Sequence, residues 1–252
     1  LTTDSNIEIN KAIGCTKNLS LSNLGSSCGI GHNRWATHGK VNLENAHPHS
    51  SLNQQVVLVH NGVIENSEEI KDFLVNKNYT FQGETDSEIL VNLIEYYYRR
   101  DLTPTKAIKL AIDDVVGTFG LAILFRDKPE TIYGLRRSSP LVLGVGENEH
   151  FLASDANALP YQIDKVVYLD DGQLVILNKK KFAIKNLSSD KDLEGLSKIK
   201  KIKKRKNDTE LGEYSCFMEK EIHSQPSSIR DSITGRFNED FSCIKFGGIN
   251  LN

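Results

Sequence analysis

The spacing of the apolar runs beyond Thr118 most tightly limits what this 252-residue chain can fold into. Seven short β-type stretches follow one another, at 118–125, 131–135, 141–145, 150–154, 165–169, 173–178 and 181–184. Turn-forming residues separate them, as at Asp127-Lys128-Pro129, Gly146-Glu147-Asn148 and Asp170-Asp171-Gly172. A parallel crossover consumes about a dozen residues or more, so gaps this short require antiparallel neighbours. Several of the runs are apolar on both faces, which predicts a sheet covered on each side.

Upstream the period changes. Val56 to Val63 is an apolar run interrupted by His60-Asn61-Gly62, and it reads as a buried strand ending in a turn. Asn66 with Glu69 three residues on has the form of a capping box, opening a helix that turns Ile70, Phe73 and Leu74 inward. A second helix starts near Glu84-Thr85-Asp86 and carries Ile89, Leu90, Leu93, Ile94 and Tyr97 as one stripe, which puts Asp86 at or near a helix N-terminus. Thr103-Pro104 opens a third, with Ile108, Ile112 and Val115 facing the core. A strand, then helices, then a run of strands predicts an α+β sandwich. The lysine-rich stretch 186–211 reads as a loop, and 214–235 as helical with a break and restart at Pro226. A boundary near 211 leaves 212–252 as a short trailing segment.

The net charge of −2 argues against a nucleic-acid or membrane-surface partner, and the lysine run at 198–206 reads as a solvated face. No apolar segment is long enough to span a bilayer. Cys15, Cys28, Cys216 and Cys243 lie far apart without metal-type spacing, the usage expected of a cytoplasmic protein. His38, His47 and His49 lack a supporting cysteine or carboxylate cluster, so neither a metal nor another cofactor is expected.

Three clusters carry the chemistry. Arg34-Trp35-Ala36-Thr37-His38-Gly39 includes an arginine whose planar fork matches a carboxylate. Asn61 and Gly62 pair an amide side chain with a backbone N–H, as an oxyanion hole requires. Asp86 offers an anion to an ammonium group. Together they suit a free α-amino acid. Each also has a plainer reading: Arg34 in a surface ion pair, Trp35 in the core, Asn61-Gly62 as a turn, Asp86 as a helix cap.

These segments also resemble a known family. Gly31 to Gly39, Asn45-Ala46-His47-Pro48-His49, His60 to Asn66 and Glu84-Thr85-Asp86-Ser87-Glu88 occur in the order and spacing of the glutaminase domain of glutamine–fructose-6-phosphate aminotransferases (isomerising), the glucosamine-6-phosphate synthases. Arg137 to Val142, Ala153-Ser154-Asp155 and Met218 to Pro226 are similar too, so the resemblance runs from about Ile13 to Arg236. It implies a class II glutamine amidotransferase with an N-terminal-nucleophile hydrolase fold, a four-layer αββα sandwich. It implies that glutamine's amide is hydrolysed through a thioester on an N-terminal cysteine whose own amine is the base. The ammonia then passes to a sugar-isomerase domain, which makes glucosamine 6-phosphate from fructose 6-phosphate.

Carried onto this sequence, Arg34 holds the α-carboxylate, Trp35, Thr37 and His38 shape the pocket, Asp86 holds the α-ammonium, and Asn61 and Gly62 form the oxyanion hole. Residues 1–211 then correspond to the glutaminase domain and 212–252 to the segment leading toward the isomerase domain, through which the parent protein is a homo-oligomer. The family opens with Cys-Gly-Ile, ahead of the first matching segment here. The nucleophile is therefore expected upstream of Leu1, and the chain as given is expected to be inactive alone. Cys28-Gly29-Ile30 imitates that tripeptide, but Cys28 is internal, its nitrogen is an amide, and a buried structural cysteine on a strand leading into Arg34 is the expected role. A non-catalytic glutamine-binding pseudo-domain and the glutaminase domain of another class II amidotransferase are the alternatives.

Overall fold

The computed structural model describes residues 2–3, 6–14, 16–19, 26–36, 39–189, 191–193, 199–202 and 211–236. Chain order runs β1 (Thr2–Thr3), β2 (Asn6–Ile7), β3 (His49–Ser50), β4 (Val56–Ile64), α1 (Ser67–Val75), α2 (Asp86–Tyr98), α3 (Pro104–Asp113), β5 (Gly117–Phe125), β6 (Ile132–Arg137), β7 (Val142–Val145), β8 (His150–Ala153), β9 (Lys165–Tyr168), β10 (Gln173–Leu177), β11 (Phe182–Asn186), β12 (Lys191–Leu193), β13 (Lys200–Lys201) and α4 (Phe217–Ile233). The chain divides into two compact units, 1–203 and 204–252.

In the first unit the seven predicted strands appear as β5 to β11, and every pairing is antiparallel. One sheet has the order β12-β11-β10-β6-β5-β4-β3 and a smaller one the order β13-β9-β7-β8, with β1 and β2 forming a separate two-residue ladder. Side-chain alternation explains the layering. Along β10, Leu174 and Ile176 pack with the helices, whereas Val175 and Leu177 pack with Leu143 and Val167 of the smaller sheet. Along β7, Leu143 faces the large sheet and Val142 faces outward onto Leu159 and Ile163. The resulting α+β stack is helices, large sheet, small sheet, and then the segment carrying the 3-10 turn Ala156–Ala158.

The helices cover one face of the large sheet. Ile89, Leu90, Leu93 and Ile94 of α2 join Ile70 and Leu74 of α1, Ile108 and Ile112 of α3, and Leu58, Phe119, Leu121 and Ile123 beneath them in one apolar cluster. The capping predictions fare unevenly. Thr85 Oγ1 accepts from Glu88 N at 3.3 Å and Thr103 Oγ1 from Lys106 N at 3.4 Å, so both later helices start as read, with Asp86 the first helical residue of α2 and not its cap. The capping box at Asn66 does not form. Asn66 donates instead to the Asp114 carbonyl and accepts from Val116 N, tying the start of α1 to the α3–β5 turn, where two long-range bonds replace one local one.

Four further expectations are corrected. β4 does not end in a turn at Asn61-Gly62, because both residues stay in the ladder opposite Gly120 and Phe119 of β5. The stretch 186–211 holds two short strands, β12 and β13, added at the edges of the two sheets. Residues 26–36 form no strand, and Cys28 is half-buried with its amide donating to Ser26 Oγ at 3.3 Å. In the second unit α4 runs through Pro226 without a break. The Ser215 N–H and hydroxyl both donate to Glu219 Oε2 ahead of the helix, and Ser224 and Ser227 donate to the carbonyls of Lys220 and Ser224 around the proline.

Candidate active site

A cleft of about 1230 Å³ opens between the two sheets at the distal end of β4. Its walls bring together Arg34, Trp35, Asn61, Gly62 and Asp86, which come from three separate stretches of sequence. Thr37 and His38 lie outside the described residues. Small residues of β5 make the room. Gly120, opposite Asn61, and Ala122 face the cleft where larger side chains would fill it.

The strand β4 explains the placement. Its even-numbered N–H groups point away from β5, since Val56 N donates to Ser51 Oγ, His60 N to His47 Nδ1 at 3.4 Å and Ile64 N to Asp86 Oδ2 at 2.8 Å. By the alternation of an antiparallel ladder, the Gly62 N–H falls on this same side, between the two that are already engaged. Only glycine fits there. Its φ is +150°, and a Cβ would stand 2.0 Å from the Thr118 carbonyl oxygen. The Asn61 side chain, exposed beside it, adds an amide to this backbone donor.

Asp86 is held firmly. Besides Ile64 N, its carboxylate accepts from Ser87 Oγ at 3.2 Å, and its side chain retains 25% of its exposure, so one edge remains open to the cleft. A carboxylate at the first position of a helix also sits in the favourable end of the helix dipole. The neighbouring Glu84 is committed elsewhere, since its Oε2 accepts from Lys40 N and Asn45 Nδ2 and pins the 39–45 loop. Arg34 is half-buried and donates through Nη1 to the Lys40 carbonyl at 3.3 Å. Trp35 is 86% exposed and stands at the rim, which excludes the core reading of this residue.

Behind the cleft lie His32, His47, His49 and His60, of which the sequence raises only His47 and His49 as possible metal ligands. The His32 and His47 rings lie 4.4 Å apart and those of His47 and His49 4.8 Å apart, while His49 Nε2 meets the buried Thr85 hydroxyl at 3.0 Å. Burial, aided by the neighbouring cations, pushes the His47 pKa down to about 2 and that of His49 to about 3. His60 is also lowered, by burial first, against the opposing pull of Asp86 and the Thr118 carbonyl. These are neutral, hydrogen-bonding imidazoles, and no group of three or more potential metal ligands gathers among the described residues. His60 and Ser87 were missed as site residues. Their signals were a histidine inside an otherwise apolar strand and a hydroxyl immediately after the helix-opening aspartate.

The arrangement offers a guanidinium, a carboxylate and a pair of neutral donors on one cleft, a set that matches a zwitterion with a polar side chain. The described family "Glutamine amidotransferase domain" matches residues 32–160, which contain all of these groups. The chain is 44% identical over 230 residues to a glutamine–fructose-6-phosphate aminotransferase (isomerizing) of Bacteroides thetaiotaomicron, covering 90% of this chain and 37% of that protein. It is 40% identical over 220 residues to the enzyme of that name from Thermococcus kodakarensis, covering 87% and 36%. The chain thus spans little more than a third of the length of these curated relatives. Among solved structures, the glutamine phosphoribosylpyrophosphate amidotransferase of B. subtilis superposes with a TM-score of 0.51 at 23% identity, over 62% of this chain and 34% of that one, and so shares the fold. With the family's pattern spanning the cleft and both sheets, the chain belongs to the glutamine amidotransferase family.

Proposed function

We propose that this chain is the glutamine-binding part of a glucosamine-6-phosphate synthase. It holds L-glutamine while the side-chain amide is cleaved, and the ammonia goes to a sugar-isomerase domain of the same homo-oligomeric, cytoplasmic parent protein for use on fructose 6-phosphate. Residues 1–211 form the glutaminase part and 212–252 the connection to that domain. The observation that carries the reading is the convergence of Arg34, Asn61-Gly62 and Asp86 on one cleft. Arg34 takes the α-carboxylate, Asp86 the α-ammonium, and the Gly62 N–H with the Asn61 amide takes the oxygen on which negative charge develops. Trp35, Thr37 and His38 close the pocket around the ligand. No metal or other cofactor enters this scheme. The names of the relatives favour fructose 6-phosphate as acceptor over any other.

Cys28 is not the nucleophile, since its nitrogen is an amide engaged with Ser26 and has no free amine to act as base. The test is calorimetric titration of the chain with L-glutamine. Arg34→Ala removes a charge-assisted contact worth about 1.5–3 kcal/mol, so affinity should fall by roughly 10- to 150-fold. Equal binding by the wild type and this variant, or no preference for L-glutamine over D-glutamine, overturns the reading.

A further inference from the structure

Beneath Asp86 lies a small buried group whose protons do not balance. His60, buried in β4, places Nε2 at 3.4 Å from the Thr118 carbonyl oxygen. A carbonyl only accepts, so Nε2 carries the ring proton and Nδ1 is left as an acceptor. Nδ1 lies 3.0 Å from the buried Ser87 hydroxyl and 3.8 Å from Asp86 Oδ1. The same hydroxyl is 3.2 Å from Asp86 Oδ1. Ser87 owns one proton, and two acceptors compete for it. With His60 neutral, the group has one donor too few.

We propose that Ser87 and His60 are positioning residues that keep Asp86 available to a cationic nitrogen, and so make the cleft selective for ligands with a free α-amine. An ammonium that donates to the open edge of Asp86 supplies the missing donor. Ser87 then turns its hydroxyl to His60 Nδ1, and every acceptor is satisfied. A proton taken up by His60 meets the same demand differently: Nδ1–H donates to Ser87, Ser87 donates to Asp86, and the imidazolium repels a second cation. The ligand's ammonium and a proton on His60 therefore exclude one another.

The groups facing His60 are Asp86 and Ser87 from α2, the Thr118 carbonyl from β5, His47 just before β3 and His49 within it, and His32 from the 26–36 segment, with Arg34 of that segment lining the same cleft. His47 and His49, with pKa values of about 2 and about 3, do not titrate above pH ~5. The proposal rests on the cleft being an amino-acid pocket, and the experiment separates the two.

The whole chain is titrated by calorimetry with L-glutamine and with 4-carbamoylbutanoate, the same molecule without its α-amine, between pH 5 and 8. Wild type should prefer L-glutamine. That affinity should fall on the acid side by up to about tenfold per pH unit, the limit for one coupled proton, while the analogue does not weaken. His60→Gln should flatten this dependence. Ser87→Ala should lose about tenfold of the preference, and Ser87→Thr, which keeps a hydroxyl, should restore it. Circular dichroism confirms that each variant is folded. A wild type that binds L-glutamine, beside variants with unchanged pH slope and unchanged preference, overturns the relay alone. A wild type that binds neither ligand overturns the pocket reading and the relay with it.

Discussion

Replacing Gly62 with alanine tests the central geometric claim, that Asn61-Gly62 belongs to a strand and not to a turn. The added Cβ would stand 2.0 Å from the Thr118 oxygen, 2.7 Å from its carbonyl carbon and 2.8 Å from Phe119 Cα. Ordinary carbon–oxygen contact begins near 3.3 Å, so β4 and β5 would have to separate locally by about 1.3 Å. β5 is held between β4 and β6, and β4 is held on its far side by β3 at Val57 and Leu58 and by the Ile64–Asp86 bond just past Gly62, so little freedom remains for the two to separate. Overpacking costs about 1–3 kcal/mol. The φ of +150° adds about 1–3 kcal/mol for any residue with a side chain. The sum, about 2–6 kcal/mol, is a large share of the 5–15 kcal/mol typical of a domain. At a urea slope of about 2 kcal/mol per molar, the midpoint should drop by roughly 1–3 M. Gly172→Ala is the matched comparison, since its φ is +74° and nothing lies within 4 Å of its Cβ, so it carries the conformational cost alone. Equilibrium urea unfolding of the two variants decides the matter. If Gly62→Ala unfolds at the same midpoint as Gly172→Ala, or higher, the close approach of Thr118 is not real and the site geometry built on it fails.

Two other outcomes are expected. Glu95, fully buried on α2, accepts from Ser51 Oγ at 2.7 Å, Asn53 Nδ2 at 2.8 Å and the amides of Asn53 and Gln55 at 3.3 Å, so Glu95→Leu should cost about 3–5 kcal/mol by orphaning these donors; a thermal scan with unchanged Tm would refute this role. His47 and His49 stay neutral in the folded state down to about 2 and about 3, while in the unfolded chain they bind protons below about 6.5, so stability is retained above that pH and lost as pH falls from about 6.5 toward 3. The loss should approach ~1.4 kcal/mol per pH unit for each histidine, and a urea midpoint that holds constant from pH 7.5 to 5 would contradict it.

Sequence patterning located the strands well because turn residues and short gaps mark their ends, although it does not show that the chain steps between the two sheets at β6–β7 and β9–β10. β5 through β11 fall within a residue or two of the predicted runs. It located Arg34, Asn61, Gly62 and Asp86 as chemistry, but their meeting place depends on a long-range pairing of β4 with β5 that no local window contains. Local rules failed where tertiary partners outbid them. Asn-Gly is a favoured turn pair, yet here the ladder to β5 continues through it; Asn66 has the form of a cap, yet the α3–β5 turn recruits its amide. The histidines were misjudged for a related reason. The spacing of His47 and His49 invited only a metal question and His60 was passed over, whereas the role of all three follows from burial against one another and against Thr85 and Ser87.

The row of β4 amides has one more consequence. N–H groups two residues apart on a strand are separated by about 6.7 Å, a distance fixed by the backbone itself. Ile64 anchors Asp86 at one mark of this ruler and Gly62 presents its N–H at the next. Substituting the surrounding side chains alters the charge, shape and wetness of the cleft, but it leaves the interval between the tethered acid and the neighbouring donor unchanged. Changing that interval would take a bulge or break in the extended backbone of β4 itself, which would also interrupt its ladder to β5. The length of ligand that the cleft can grip is thus tied to the stability of the fold.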